Sequence, residues 1–187
     1  MCNPNALYYQ QMVTSPNAYW LNFFLKRDIN VVCWNYRGYG ESEISTLECV
    51  TPHKTKRDAE RVLAFVVNNA KVKGKVGVYG RSIGGIAACH LAAKYPDLIQ
   101  TLIIDRSFDE LQSVPEGKLK GKCTSVIFKG ISCSLKIYNP GNYLAAKNCY
   151  KIITYDPMDD TIDEFGNLAT GVVAQLAKTD YTTDQYK

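Results

Sequence analysis

The sequence predicts an α/β fold, in which a mostly parallel sheet is covered by helices on both faces. The evidence is that apolar runs of strand length alternate along the chain with segments whose apolar residues recur at helical spacing. The predicted strands are 31–36, 76–79, 101–105 and 151–155. The predicted helices are 17–27, 56–67, 86–93 and 165–178. Strands that alternate with helices in this way are typical of a parallel sheet with helices on both faces.

Each element has its own local pattern. The first helix, 17–27, has apolar residues at helical spacing and leads through Asp28-Ile29-Asn30 into the first strand. The second helix places Ala59, Val62, Leu63 and Val66 on one face. The strand 76–79 leads into a helix of small residues, and the last strand precedes the last helix. A glycine-punctuated loop separates the first strand from the second helix.

The length and composition indicate one globular domain. The chain has 187 residues, of which 46% are hydrophobic, and it shows no repeat period. We predict a domain over 1–178 and a polar tail over 179–187. The stretch 106–150 is long and poorly periodic, and such connections are usually lids or binding loops, so we interpret it as a lid-like insertion. Its three lysines, Lys118, Lys120 and Lys122, could meet an anionic headgroup or belong to an ordinary solvated loop.

Charge and cysteine usage limit the partners. The net charge of +4 comes from scattered lysines without a basic arm, so no nucleic-acid partner is expected. The seven cysteines are an odd number without a Cys-x-x-Cys pair, which favours a reducing, intracellular setting and argues against a structural metal. We expect no cofactor. No apolar stretch reaches the roughly 18 residues of a membrane-spanning helix. We expect a cytoplasmic protein, or a membrane-associated one if a missing N-terminal segment anchors it.

The most informative motif is the Gly-x-Ser-x-Gly sequence from Gly80 to Gly84, which lies between a predicted strand and a predicted helix. A serine at such a junction must turn sharply, so the positions two before and two after it crowd together and favour glycine. The turn lifts the Ser82 hydroxyl clear of the sheet, and Ile83 N–H can face an oxyanion that develops beside it. Ser82 is therefore the candidate nucleophile of a nucleophile elbow.

Together with the glycine loop 36–42 and the run 105–111, the elbow resembles the α/β-hydrolase superfamily. The nearest resemblance is to the intracellular lipase branch that includes the phosphatidylserine and monoacylglycerol lipases. The matching pieces are Ser82-Ile83-Gly84-Gly85, Tyr95-Pro96-Asp97 and Asp105-Arg106-Ser107-Phe108-Asp109. The resemblance implies a lipase-like serine hydrolase, an esterase acting on lipid, acylglycerol, phospholipid or other small-molecule esters, with possible peripheral membrane contact. A peptidase or thioesterase could carry the same elbow.

The resemblance also implies the partners of Ser82. Residues 2–6 are similar to the family loop that supplies a second oxyanion donor, and Asn5 N–H is the matching amide because the proline before it stands at the family's glycine position. The acid should follow the strand that ends at Tyr155. The candidate acid is Asp159, three residues before Ile162, with Asp160 as the alternate. The competing interpretation, that these acids cap the next helix, fits Asp163 better.

The match is incomplete at both ends of the chain. The triad histidine should follow an eighth strand, yet the last histidine is His90, which we interpret as a packed helix residue, and His53 lies in a predicted loop. The chain also begins just after the family's third strand, which would leave a gap between the strands at 31–36 and 76–79. We expect a fragment of a longer gene product, truncated at both ends; the alternative is a catalytically inactive binding domain.

Overall fold

The computed structural model describes residues 1–4, 7–14, 18–44, 51–69, 74–109, 139–159, 162 and 166–183. Within these residues the helices are α1 (Tyr9–Thr14), α2 (Tyr19–Leu25), α3 (Pro52–Asn68), α4 (Gly84–Lys94), α5 (Asn139–Ala145) and α6 (Leu168–Thr183). The strands are β1 (Val76–Arg81), β2 (Ile99–Asp105) and β3 (Tyr150–Thr154).

The three strands form one parallel sheet in the order β1, β2, β3. On one face, α4 packs across β1 and β2 and is itself flanked by α3 and α5. On the other face, Trp20 and Phe24 of α2 lie against the ring of Tyr79, with ring centroids 5.4 and 6.2 Å away. The predicted α/β class, a parallel sheet with helices on both faces, is confirmed.

Helix α4 is the centre of the core, and its composition follows from that position. Ala87, Ala88, Cys89 and Ala92 are all fully buried. A helix surrounded by a sheet and two other helices has little solvent-facing surface, here near its C-terminal residue Lys94, so it lacks the one-sided pattern of a surface helix. Small side chains let its backbone approach the sheet, where it packs against Leu102 and other apolar residues of the strands.

The predicted strand 31–36 is wrong, because these residues belong to no strand of the sheet. Its neighbours are the first residues of the chain: the Met1 amino group donates to Val32 O at 2.6 Å and Asn3 Nδ2 donates to Trp34 O at 2.8 Å. The Asn3 bond comes from a side-chain amide, which cannot take part in the repeating backbone pairing that defines a strand.

The same first residues pair with β1 on their other side. Cys2 N–H donates to Tyr79 O at 2.7 Å, and Arg81 N–H donates to Cys2 O at 3.2 Å, a parallel bridge between Cys2 and Gly80. Residues 1–3 therefore lie between the 31–34 segment and β1, where the resemblance places the third strand.

Two helices extend four or more residues beyond their predicted bounds. Helix α3 begins at Pro52, with Thr51 as the N-cap that accepts from Lys54 N–H, so His53 lies in the first helical turn instead of a loop. Helix α6 continues past Lys178 into the predicted polar tail. Of the predicted lid-like insertion, 106–150, residues 110–138 with the three lysines lie outside the described residues. The division into a domain and a tail stays a prediction.

Candidate active site

Ser82 occupies the turn between β1 and α4 with φ of +52°, in the left-handed region that a serine rarely adopts. The flanking glycines make this turn possible. A Cβ on Gly80 would lie 2.5 Å from Gly84 O and 2.7 Å from Ala88 Cβ. A Cβ on Gly84 would lie 2.2 Å from Cys2 O. All three distances are far below ordinary contact, so the strand, the helix and the N-terminal residues meet only because side chains are missing at these two positions.

The backbone of Ser82 is held by the neighbouring strand end. Its N–H donates to Asp105 O at 3.0 Å. Its carbonyl accepts Gly85 N–H at 3.0 Å and the Ser107 hydroxyl at 2.8 Å. A strained backbone such as that of Ser82, with its positive φ, persists only where the surrounding contacts hold it in place. Such strained residues concentrate at functional sites.

Neither histidine of the chain bonds Ser82. His90 Nε2 lies 2.6 Å from Glu60 Oε1, and Lys94 Nζ donates to the same oxygen at 2.8 Å. Burial lowers the pKa of His90, although Glu60 opposes this shift. His90 is thus a packed residue between α3 and α4, as predicted, and His53 is exposed at the start of α3.

Of the two predicted oxyanion donors, Ile83 lies within the described residues. Ile83 is the N-cap of α4, and the first amides of a helix have no partner within it. The predicted second donor, Asn5, lies outside the described residues. The preceding residues are firmly held, because Tyr36 OH donates to Asn3 O at 2.9 Å and Asn3 is only 1% exposed. Burial raises the pKa of Tyr36 well above its usual value, which keeps this donor protonated.

The loop after β3, which carries the predicted acid Asp159, follows the same edge of the sheet as the elbow. Asp159 Oδ1 accepts Ile162 N–H at 3.1 Å. Ile162 is buried in an apolar cluster with Ile86 and Phe108, against which Ile83 packs. A loop that carries Asp159 is therefore tied to the residue next to Ser82. The alternate acid, Asp160, and the helix-capping candidate, Asp163, lie outside the described residues.

Sequence reasoning missed the role of Asp105, the last residue of β2. Its buried carboxylate accepts Tyr79 OH at 2.7 Å, Arg106 Nε at 3.1 Å and Thr154 Oγ1 at 3.0 Å. Arg81 Nε lies 3.7 Å away. Burial alone would raise the pKa of Asp105, but the bonds from Arg106, Tyr79 and Thr154 outweigh it and hold the pKa below the usual range. One carboxylate thus links the carboxyl ends of all three strands beneath the elbow.

A cavity of about 620 Å³ lies away from this site, between the 34–44 segment and α3. Its walls include Arg37 and Asp58, which form a bidentate ion pair. Arg37 Nε donates to Asp58 Oδ2 at 2.7 Å, and Arg37 Nη2 donates to Asp58 Oδ1 at 2.5 Å. None of the predicted site residues lines it.

Within the described residues, no group of three or more His, Cys, Asp or Glu side chains is placed to hold a metal ion. In the same part of the chain, no helix has both the length and the apolar character needed to cross a bilayer. Cys2, Cys33, Cys89 and Cys149 are free thiols, and burial raises the pKa of Cys2 and Cys89.

A parallel sheet with a Gly-x-Ser-x-Gly turn between a strand and the following helix is the signature of the α/β-hydrolase class. The sequence model of one family of that class, described as serine aminopeptidase, S33, matches residues 18–121, more than half of the chain, and the chain belongs to this family. The predicted α/β-hydrolase resemblance is confirmed.

Two curated relatives match over 93 residues, 49% of this chain. One, from Saccharomyces cerevisiae, is named uncharacterized membrane protein YNL320W and is 33% identical over 31% of its own length. The other, protein bem46 from Schizosaccharomyces pombe, is 34% identical over 30% of its length. The chain thus covers less than a third of each of these relatives.

Proposed function

We propose that Ser82 is the nucleophile of a serine hydrolase that cleaves ester bonds in lipids such as acylglycerols or phospholipids. The observation that carries the proposal is the conformation of Ser82, held at positive φ between a strand and a helix. Membership of an α/β-hydrolase family supports hydrolysis as the reaction class. The ester and lipid specificity rests on the lipase-like motifs of the sequence.

In the proposed reaction the Ser82 hydroxyl attacks the ester carbonyl while a base removes its proton. The alcohol then leaves with that proton, and water releases the acid from the acyl-enzyme. Ile83 N–H and Asn5 N–H would bind the oxyanion, and Asp159 would orient a histidine base. Since His53 and His90 do not bond Ser82, the proposed base is a histidine outside these 187 residues.

We propose an intracellular protein that contacts membranes peripherally, because its proposed substrates are lipids. The name of the S. cerevisiae relative includes the words membrane protein. The second candidate is a catalytically inactive domain of the same fold, kept for binding. The observation that favours it is that neither histidine of the chain reaches the elbow.

The first test supplies the base from solution. Alone, the chain is expected to show no measurable hydrolysis of a p-nitrophenyl ester, since a serine hydroxyl without a base is a weak nucleophile. With free imidazole as a substitute base, a fluorophosphonate probe should label Ser82, and Ser82→Ala should abolish the adduct. Mass spectrometry of the labelled peptides locates the adduct. Ser42→Ala, a half-buried serine outside the elbow, should leave labelling unchanged.

An adduct on a different residue would overturn the choice of nucleophile. No adduct in the native chain, even with imidazole, would favour the inactive domain.

A second test separates the two candidate acids in a longer chain that contributes a histidine. Asp159→Asn should reduce fluorophosphonate labelling by about 10³-fold or more, because the histidine loses the carboxylate that fixes its tautomer. Asp160→Asn should change labelling far less, since adjacent side chains of a loop rarely reach the same target. A larger loss from Asp160→Asn would exchange the two assignments.

A further inference from the structure

We infer that Ser107 is a positioning residue whose hydroxyl sets the direction of the Ile83 amide, the proposed oxyanion donor. The inference rests on the proposed function of Ser82. Ser107 is 2% exposed, and its Oγ donates to Ser82 O at 2.8 Å. It belongs to the run 105–109, to which the proposed reaction gives no role.

The argument depends on the planarity of the peptide that joins Ser82 to Ile83. In a trans peptide, the carbonyl and the N–H of one unit point in opposite directions within one plane. Ser107 Oγ and Gly85 N–H both bond the Ser82 carbonyl, at 2.8 and 3.0 Å. Because these two donors fix the carbonyl on one side, they also fix the Ile83 N–H on the opposite side.

Ser107 is itself anchored and fitted closely to the elbow. Its own carbonyl accepts Leu168 N–H at 2.9 Å, and Arg106 beside it donates its N–H to Thr154 O at 2.8 Å. A Cβ on Gly85 would lie 2.1 Å from Ser107 Oγ. Gly85 therefore provides the space that the hydroxyl occupies, which gives a physical reason for the second glycine of Ser-Ile-Gly-Gly.

A fixed peptide matters here because the Ile83 N–H must face the oxyanion. Rotation of the Ser82–Ile83 peptide, about ψ of Ser82 and φ of Ile83, would turn that N–H away. The Ser107 hydroxyl opposes this rotation, since the rotation would break its bond and leave a buried donor unsatisfied. The side chain thus acts through the backbone and does not touch the substrate.

The test compares two probes in the presence of imidazole: a fluorophosphonate with a P=O group and its counterpart with P=S. An oxyanion site stabilises developing charge on oxygen better than on sulfur. Ser107→Ala should lower the labelling rate of Ser82 by the P=O probe about 10-fold, less than loss of a whole donor. The rate with the P=S probe should fall much less. A merely structural loss would lower both rates together.

Two variants serve as controls. Thr55→Ala removes another buried hydroxyl, on α3, and should leave the ratio of the two rates unchanged. Gly85→Ala combined with Ser107→Gly makes room for the new methyl group without restoring the donor, so its ratio should stay as low as that of Ser107→Ala.

A spectroscopic readout keeps the inference testable without labelling. In Ser107→Ala, the carbonyl ¹³C resonance of Ser82 and the amide resonances of Ile83 should shift, because their peptide loses a hydrogen bond. Unchanged resonances, or an unchanged ratio of rates, would overturn the positioning role. A native chain that never labels would instead overturn the proposed function, and the resonances alone would then decide the role of Ser107.

Discussion

Gly84→Ala is expected to destabilise the folded chain by about 3 kcal/mol or more, the range of overpacked core positions whose neighbours cannot move. The added Cβ would lie 2.2 Å from Cys2 O, 2.8 Å from Cys2 C and 3.0 Å from Asn3 O. These are backbone atoms held on both sides, by the bridge of Cys2 to β1 and by the bonds of Asn3 to Trp34 and Tyr36. A flexible side chain could yield, but this backbone cannot. Urea unfolding of the native and variant chains measures the loss.

Gly77→Ala is the matched control, a glycine-to-alanine change in the strand that leads to the elbow. Its Cβ would meet Thr101 Cβ at 3.5 Å, an ordinary contact. We expect a change within about 1 kcal/mol, since alanine loses less backbone freedom than glycine on folding. If Gly84→Ala were as stable as Gly77→Ala, residues 1–3 would not pack against the elbow as the structure shows.

The fold class follows from local patterns, whereas the contacts of the site join distant parts of the chain. The alternation of apolar periods predicts α/β, and the glycine spacing around Ser82 places a sharp turn between a strand and a helix. Residues 31–36 have a strand-like pattern, but a strand also needs a backbone partner, which a local pattern cannot reveal. One local signal was overlooked: Thr51 followed by Pro52 is a helix start, and it places His53 within α3.

Apart from the neighbouring Arg106, the side-chain partners of Asp105 and Ser107 lie more than twenty positions away. The bond of Ser107 to Ser82 spans 25 residues, and that of Asp105 to Thr154 spans 49. The sequence shows both residues within a recognisable run, but not which atoms they meet. Asp159 can be predicted only in part. Its spacing to Ile162 is visible in the sequence, but the packing of Ile162 with Ile86 and Phe108 beside the elbow is not.

Asp105→Asn is expected to lower the free energy of unfolding at pH 7 by about 3 kcal/mol, the lower end for breaking a buried ion pair, because the Arg106 side chain is partly exposed. The amide cannot accept all the bonds that the carboxylate receives from Tyr79, Arg106 and Thr154. Urea unfolding at pH 7 measures this loss. Asp97→Asn, at an exposed position of the α4–β2 connection, is the control and should change little.

In Asp105→Asn, the free energy of unfolding should also fall less steeply as the pH is lowered. The pKa of Asp105 in the folded chain lies below its usual value, chiefly because the bonds from Arg106 and Tyr79 overcome the effect of burial. The unfolded chain therefore takes up a proton first as the pH falls. The stabilisation is fully present above the ordinary aspartate pKa of about 4 and is lost as the pH falls through the lower folded value. Urea unfolding at pH 7, 5 and 3 should give a shallower decline for Asp105→Asn than for the native chain or Asp97→Asn. Equal declines in all three would mean that the charge of Asp105 does not stabilise the junction of the three strands beneath Ser82.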